Sequence, residues 1–585
     1  MIALIFIIGC AALLAGYRIY GRLLERMFDV DPSRPTPAHT MTDGVDYVPA
    51  KVPVLFGHHF SSIAGAVPIV GPIVAASAFG WLPPLLWIEL GAIFVGGVHD
   101  FSALIASIRH KARSIAEIVG LYLSPTTHRI FLCFIWVALV YVLVVFVDLT
   151  ATTFAPPVAK IADAAQKATV IRDGGIVAST SVVYIFLALA FGLLVNTNRI
   201  SLRAGSFIFV PLVFITLLGA EYFPLSQTMI PKLIQGDPKN TWSLVLIGYC
   251  FLASVMPVWM LLQPRDYLSS FLLFACIVGG GLGLVVTGLT GQASVQFPAF
   301  ITYNDTATAP PLGFIFPALF ITVACGAVSG FHSIVASGTT AKQLPSEGAA
   351  RPVGYGAMLV EAVLALIALG AIMMVVHPGA TPQATFAAGM GKFLSVFGVK
   401  FGLGVTFALL AISTFLLTTL DTCTRLARYV LEELTGLRGG VARYVSTTLT
   451  LVFPLIIVFI RLPDPSTPGA FLPAWRAVYP VFGATNQLLA AFALLSVMVW
   501  RVHQRRSYAF VALPMLLMLS ITITQLVIIV ATGFGKHQVL VTTLAAILLA
   551  IAIALLGDTI RSWGRVTKPR SDDDETREPV GATKS

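Results

Sequence analysis

From Met1 to about Gly557 the chain is a succession of apolar runs, separated by polar stretches too short to fold on their own. A hydrocarbon layer about 30 Å thick takes about 20 apolar residues of helix to cross. Inside it every backbone hydrogen bond has to be made within the protein, which only helices and closed barrels achieve. Runs of this length predict an all-α polytopic membrane protein. Fifteen qualify: 1–20, 57–79, 82–108, 129–150, 180–196, 204–220, 243–262, 268–290, 312–336, 354–377, 402–426, 442–461, 476–500, 508–532 and 537–558. The stretch 381–400 is too polar to span and reads as a short surface helix.

Composition agrees. Apolar residues make up 57% and charged residues 11% of the chain, where a soluble domain carries about 25% charged residues. The net charge of +10 sits in short clusters between the runs and not on one basic face, which excludes a nucleic-acid surface and points to orientation in a lipid bilayer. All six cysteines lie inside apolar runs with no C-x-x-C spacing, so neither a disulfide framework nor a zinc site is indicated. No basic stretch precedes the first run and Arg18, Arg22 and Arg26 follow it, as expected of an uncleaved first helix. With residues at the span ends counted with the adjoining loop, fifteen spans put 27 of the 37 Lys and Arg residues on odd-numbered loops and the C-terminal tail. Because these residues accumulate on the cytoplasmic side, the N-terminus is expected outside and the C-terminus inside. The tail, with Ser571 to Glu575 among basic residues, has no apolar period and is expected to be disordered.

Gly and Pro clusters at membrane depth mark chain that is shielded by protein or lines a cavity. The second span carries such a cluster from Gly57 to Pro72, and reads as a discontinuous helix or a tightly packed kinked one. Five spans later Pro257 interrupts Ser254-Val255-Met256-Pro257-Val258-Trp259. Two five-helix repeats of opposite orientation, each opening with an unwound helix near the midplane, have this spacing. The predicted organisation is a first helix and loop (1–56), a first repeat (57–220), a second repeat (221–430), further spans (431–560) and a tail (561–585), a LeuT-like 5+5 core with extra helices. His58, His59, Ser61 and Gly65 in the first break, with Ser254 and Trp259 in the second, are the expected substrate-binding residues. Adjacent histidines without carboxylate or thiolate neighbours make a poor metal site, and no metal or cofactor is expected.

A charge buried in lipid is a functional candidate by default. His99 and Asp100 in the third span can both titrate and are candidates to carry a proton, or else a helix-stabilising pair. Glu89 and Glu361 are further intramembrane acids. In the ninth span Ser329, His332, Ser333, Ser337, Thr339 and Thr340 offer oxygens and an imidazole to a coupling ion, proton or Na⁺, or bond their own helix carbonyls. Asp421 and Arg425 stand at i and i+4 on one helix face and read as a structural ion pair or as part of a gate. Arg265 and Asp266, just after the seventh span, form a gate or a tight turn with a local ion pair.

Several of these segments match one family. Gly57 to Pro72 resembles the GHHF-x-x-I-x-G signature of the carbon starvation A (CstA) family, and Val98-His99-Asp100-Phe101 its acidic helix. Trp259 to Tyr267 is similar to its W-x-x-x-QPRDY element, Ala324 to Ser333 with Ser337 to Leu344 to its ninth-span motif, Leu420 to Arg425 to LDT-x-TR, and Phe482 to Gln487 to FG-x-x-NQ. Together they run from about residue 50 to 500. The resemblance implies an inner-membrane transporter related to the amino acid, polyamine and organocation superfamily, tied to nutrient starvation and to proton-coupled uptake of peptides or pyruvate. A membrane-embedded enzyme would need a nucleophile and base or a metal cluster, and no H-E-x-x-H, G-x-S-x-G or Walker A pattern occurs. A nutrient sensor usually adds a signalling domain, and no apolar-free segment is long enough for one. The expected partners are a carboxylate-bearing substrate and a coupling cation, with the oligomeric state left open.

Overall fold

The computed structural model describes residues 1–43, 47–158, 163–257, 259–308, 311–379, 381–437, 439–463, 471–533 and 539–566. Its helices, in chain order, are α1 (Ile2–Met27), α2 (Pro37–Thr40), α3 (Val52–Ile63), α4 (Val67–Phe79), α5 (Leu82–Gly91), α6 (Gly97–Arg109), α7 (Ile115–Tyr122), α8 (Pro125–Phe154), α9 (Ala164–Asn196), α10 (Leu202–Ala220) and α11 (Pro238–Val255). They continue with α12 (Leu262–Leu289), α13 (Ile315–Thr322), α14 (Gly330–Gly338), α15 (Ala357–Met373), α16 (Pro382–Ser395), α17 (Phe401–Thr435), α18 (Gly440–Ile457), α19 (Ala474–His503), α20 (Ala509–Gly533) and α21 (Val539–Val566). The only strands among the described residues form two short hairpins, one pairing Asn304–Asp305 with Gly313–Phe314.

Twelve of the described spans are long and apolar enough to cross a membrane, and the bent pair α3–α4 makes a thirteenth. The remaining two of the fifteen expected spans fall short for different reasons. The seventh, α11, opens with Asn240, Thr241 and Ser243, which lower its hydropathy. The ninth is split into α13 and α14, of eight and nine residues. The tail from residue 567 lies outside the described residues, while its first residues, 561–566, prolong α21 as helix.

Loop contacts sort the connections onto two faces in the order that alternating spans require. On one face Arg34, from the loop after α1, and Arg109, from the end of α6, both pair with Glu347 between the ninth and tenth spans. Arg501, at the end of α19, donates to the Met27 carbonyl on the same face. On the other, Trp81 and Leu82 donate to the carbonyls of Pro298 and Ala299, and Gln296 to that of Met373. The loops joined by these contacts are of one parity on each face.

Two spans are unwound within the bundle. In the second, α3 stops at Ile63, Ala64-Gly65-Ala66 are non-helical, and α4 restarts with Pro68 in its first turn at a bend of 44°. Proline fits there because the first helical N–H groups lack an intrahelical acceptor in any case. In the ninth, Val323 to Ser329 is irregular between α13 and α14. Unwound backbone can come this close only where its neighbours lack a side chain. A Cβ on Gly96 would lie 2.2 Å from the Ala327 oxygen, and one on Gly71 2.5 Å from the Thr322 oxygen. The third and tenth spans each carry a π-helical turn, Ala92–Gly96 and Arg351–Gly356, and the first of these lies beside this stretch, where Gly96 faces Ala327.

The break expected in the seventh span is a helix end instead. α11 stops at Val255, and the chain turns before α12 begins at Leu262. Pro257 has no N–H to continue the helix, so it closes the span and does not unwind its middle. The 381–400 stretch also differs from expectation. α16 buries Phe386, Met390 and Phe393 against α12 and α17, so it is part of the bundle and not a surface helix.

Candidate functional site

α6 leaves the π turn with His99 and Asp100 in its first turn, and both face inward, 0% exposed. α14 leaves the ninth-span break with His332 on its inner face, and α15 presents Glu361 from the opposite side, again 0% exposed. Asp100 Oδ1 lies 2.7 Å from His99 Nδ1, and Asp100 Oδ2 lies 2.7 Å from His332 Nδ1. The other nitrogen of His332 stands 3.3 Å from Glu361 Oε2, an ion-pair separation without hydrogen-bond geometry. His332 is thus an imidazole between two carboxylates. His59, from the last turn of α3, reaches the same region by a 2.8 Å bond to Thr340 Oγ1.

This cluster is incompletely satisfied. Both Glu361 oxygens and the Nε2 atoms of His59, His99 and His332 are buried without a hydrogen-bond partner among the described residues. Leaving such groups unpaired costs on the order of 1–3 kcal/mol each. Buried polar sets in that state are a feature of proton-handling and ligand sites more than of structural cores. Cys325 Sγ, His332 and Glu361 bring potential metal-ligand atoms within 4.8 Å of one another. His58 and His59 are not part of that set.

A second buried cluster centres on Arg265, in the first turn of α12 and 0% exposed. Its guanidinium bonds Asp421, donates to Asp266 Oδ1 at 2.9 Å and Tyr249 Oη at 2.7 Å, and reaches the Leu417 carbonyl at 3.1 Å. Tyr249 donates in turn to Asp421 Oδ2 at 2.7 Å, and His58 Nδ1 lies 3.2 Å from Asp266 Oδ2. Ser61 donates to the carbonyls of His58 and Asp266. The expected Asp421–Arg425 pair is therefore not made. Arg265 takes Asp421, and Arg425 donates at 2.6 and 2.9 Å to the carbonyls of Ala253 and Met256, capping the end of α11. Neighbouring residues of α3 thus serve different clusters, His58 that of Arg265 and His59 that of His332.

The ninth-span hydroxyls divide likewise. Ser333, Ser337 and Thr339 donate to their own helix carbonyls. Ser329 instead donates to Asn486 Oδ1, which also accepts from the Phe331 N–H. Gln487 donates to the Phe320 carbonyl. These two side chains of α19 hold both edges of the unwound stretch, a role that the FG-x-x-NQ element did not disclose in sequence. Gly65 sits in the second-span break, where an added Cβ would lie 3.0 Å from Thr419 Oγ1. Ser254 bonds Thr447, and Trp259, 38% exposed, lies in the α11–α12 turn. Val258 lies outside the described residues.

Among curated proteins the chain is 32% identical to the peptide transporter CstA of Escherichia coli, over 86% of this chain and 77% of that one. It is 30% identical to the peptide transporter CstA of Bacillus subtilis, over 98% of each, and 30% identical to the pyruvate/proton symporter BtsT of E. coli, over 86% of this chain and 78% of that one. Among solved structures it is similar to the manganese transporter of Eremococcus coleocola, at 12% identity and a TM-score of 0.44, over 90% of this chain and 99% of that one. The model of the carbon starvation protein CstA family matches residues 1–380 and 374–525. With that match over most of its length, this multi-pass membrane protein belongs to the CstA family.

Proposed function

We propose that the protein takes up a small carboxylate-bearing nutrient, a short peptide or a pyruvate-like acid, by proton symport across the bacterial inner membrane, without catalysing a reaction. The observation that carries this reading is the buried Asp100–His332–Glu361 chain with His99 attached, at the edge of an unwound span. Two carboxylates and two imidazoles that share protons can gain and lose one as access alternates. A proton is the coupling ion on this reading, because the cluster is built of titratable groups and not of neutral oxygens. The relative named pyruvate/proton symporter supports the choice of a proton, and the relatives named peptide transporter support a peptide as substrate.

The core is an inverted repeat whose halves begin at α3 and α13 instead of at the second and seventh spans. Each half opens with a broken span, continues through a span with a π turn, passes a short helix (α7 or α16) and reaches a long one (α8 or α17). The ninth span stands seven positions after the second, an odd step that gives the halves opposite directions. The packing is reciprocal, since α4 lies against α15, α14 against α6, and α8 against α17. Substrate binds between the two breaks, beside His58, His59, Ser61 and Gly65, where half-helix N-termini favour an anionic group. Arg265, Asp266 and Asp421 close one side as a gate. The basic face is cytoplasmic, which leaves the N-terminus outside and the C-terminus inside. Proteoliposomes test the whole. Labelled pyruvate or dipeptide accumulates when an inward proton gradient is imposed, and accumulation of neither under any gradient removes the claim.

A further inference from the structure

On the basic face a cavity of about 630 Å³ opens where α1 ends and α19 gives way to α20. Its wall carries four guanidinium groups, from Arg34, Arg109, Arg501 and Arg506, against two carboxylates, Asp29 and Glu347, so positive charge is in excess. The groups are held in place by the fold. Glu347 binds Arg34 and Arg109 side by side at 2.8–3.0 Å, with the Asp31 N–H at 3.1 Å as a further donor. Arg501 donates to the Ser507 and Met27 carbonyls and lies 5.0 Å over the Phe28 ring. Arg506 meets Asp29 at 3.3 Å, and both remain more than half exposed.

The surroundings identify what such a cavity receives. Phe28 and Phe510 pack edge to face and join the end of α1 to the start of α20. Beyond that junction both helices turn apolar residues outward, Leu14, Ile19 and Leu23 on one, Leu513, Leu516 and Leu517 on the other. The cavity therefore lies at the polar edge of a surface that acyl chains cover. Basic pockets between spans at this depth suit phosphorylated lipid headgroups, and a guanidinium fork matches a phosphate in two bonds.

We propose that this cavity is a binding site for the phosphodiester headgroup of an anionic phospholipid, with the acyl chains along α1 and α20. An occupied site ties the α1 loop and the end of α6 to Glu347 and the end of α19. The test is the melting midpoint of the purified full-length protein in neutral detergent. Short-chain phosphatidylglycerol is expected to raise it by about 2 °C or more, and phosphatidylcholine of the same chain length is expected to have no effect. Equal shifts from the two lipids, or none from either, overturn the proposal. Inorganic phosphate or glycerol phosphate giving the same shift as phosphatidylglycerol overturns the lipid assignment in favour of a soluble anion. Arg506→Glu, which reverses an exposed charge and leaves the Glu347 network intact, is expected to abolish the shift while melting near the parent without lipid. A full shift in that variant also refutes the site. Should it melt far below the parent, retention of phosphatidylglycerol over phosphatidylcholine by the wild-type protein in native mass spectra decides the matter, and equal retention refutes the site.

Discussion

His332 Nδ1 lies 2.7 Å from Asp100 Oδ2 although the residues are 232 positions apart, one on each side of the contact between α6 and α14. The bond joins an unwound span to its neighbour, and it is completed by Glu361 on the far side of the imidazole. A proton added or removed here alters the attraction among three helices at once. On the proposed symport reading, local repacking and coupling are one event.

The first consequence concerns Glu361, whose oxygens make no hydrogen bond among the described residues. Gln has nearly the same shape and removes the charge that burial makes expensive. Glu361→Gln is expected to leave the melting midpoint unchanged or higher, while pH-driven uptake falls about 100-fold or more, a loss within the range for a positioned acid–base group. Uptake by the variant at the parent rate would exclude the carboxylate from coupling.

Asp100 differs because both of its oxygens are bonded. Asp100→Asn leaves two imidazoles without their shared anion, and breaking a buried pair in this way costs about 3–5 kcal/mol. A clear drop in melting midpoint is expected, together with loss of driven uptake and retention of substrate counterflow in whatever protein remains folded. A variant as stable and as active as the parent would show that the cluster is neither structural nor coupling.

Part of this arrangement was legible in the sequence. The apolar runs disclosed the helices, because runs about 20 residues long satisfy their backbone in lipid only as helices, where a barrel would need shorter alternating segments. The second-span break was visible in Gly65, Pro68 and Pro72. The ninth-span break was not, because Val323 to Ser329 contains no proline. That stretch is held open by Asn486 and Gln487 on α19 and by the bare surface of Gly96, all distant in sequence. Pro257 drew attention to the wrong span, since a proline marks a helix end as readily as a break. His99 and Asp100 were recognisable as intramembrane titratable groups, but their partner His332 was grouped with hydroxyls that prove to be self-bonded. Asp421 and Arg425 satisfied a local pairing rule that Arg265 overrides from another helix.

That last reassignment is measurable. In a double-mutant cycle Arg265→Ala with Asp421→Ala should show a coupling of about 2 kcal/mol or more, whereas Asp421→Ala with Arg425→Ala should be additive to within about 0.5 kcal/mol. The melting midpoints of the single and double variants provide the comparison. Strong coupling in the second pair and none in the first would return Asp421 to the local pairing.

The unwound ninth span gives the remaining prediction. Gly96 has no room for a side chain, since an added Cβ would meet the Ala327 oxygen at 2.2 Å, and that oxygen belongs to backbone that cannot rotate away. Gly96→Ala is expected to displace the Val323 to Ser329 stretch and destabilise the protein by about 1–3 kcal/mol, the usual cost of overpacking. Gly248→Ala, with nothing within 4 Å of the new atom and a helical backbone, is the control and should be neutral or slightly stabilising. Asn486→Ala should act in the same direction as Gly96→Ala, because it deprives Ser329 and the Phe331 N–H of their common acceptor. Both changes alter the geometry that delivers His332 to Asp100. Their effect on driven uptake should therefore exceed their effect on the melting midpoint, and a loss of stability with uptake per folded molecule intact would separate the break from coupling.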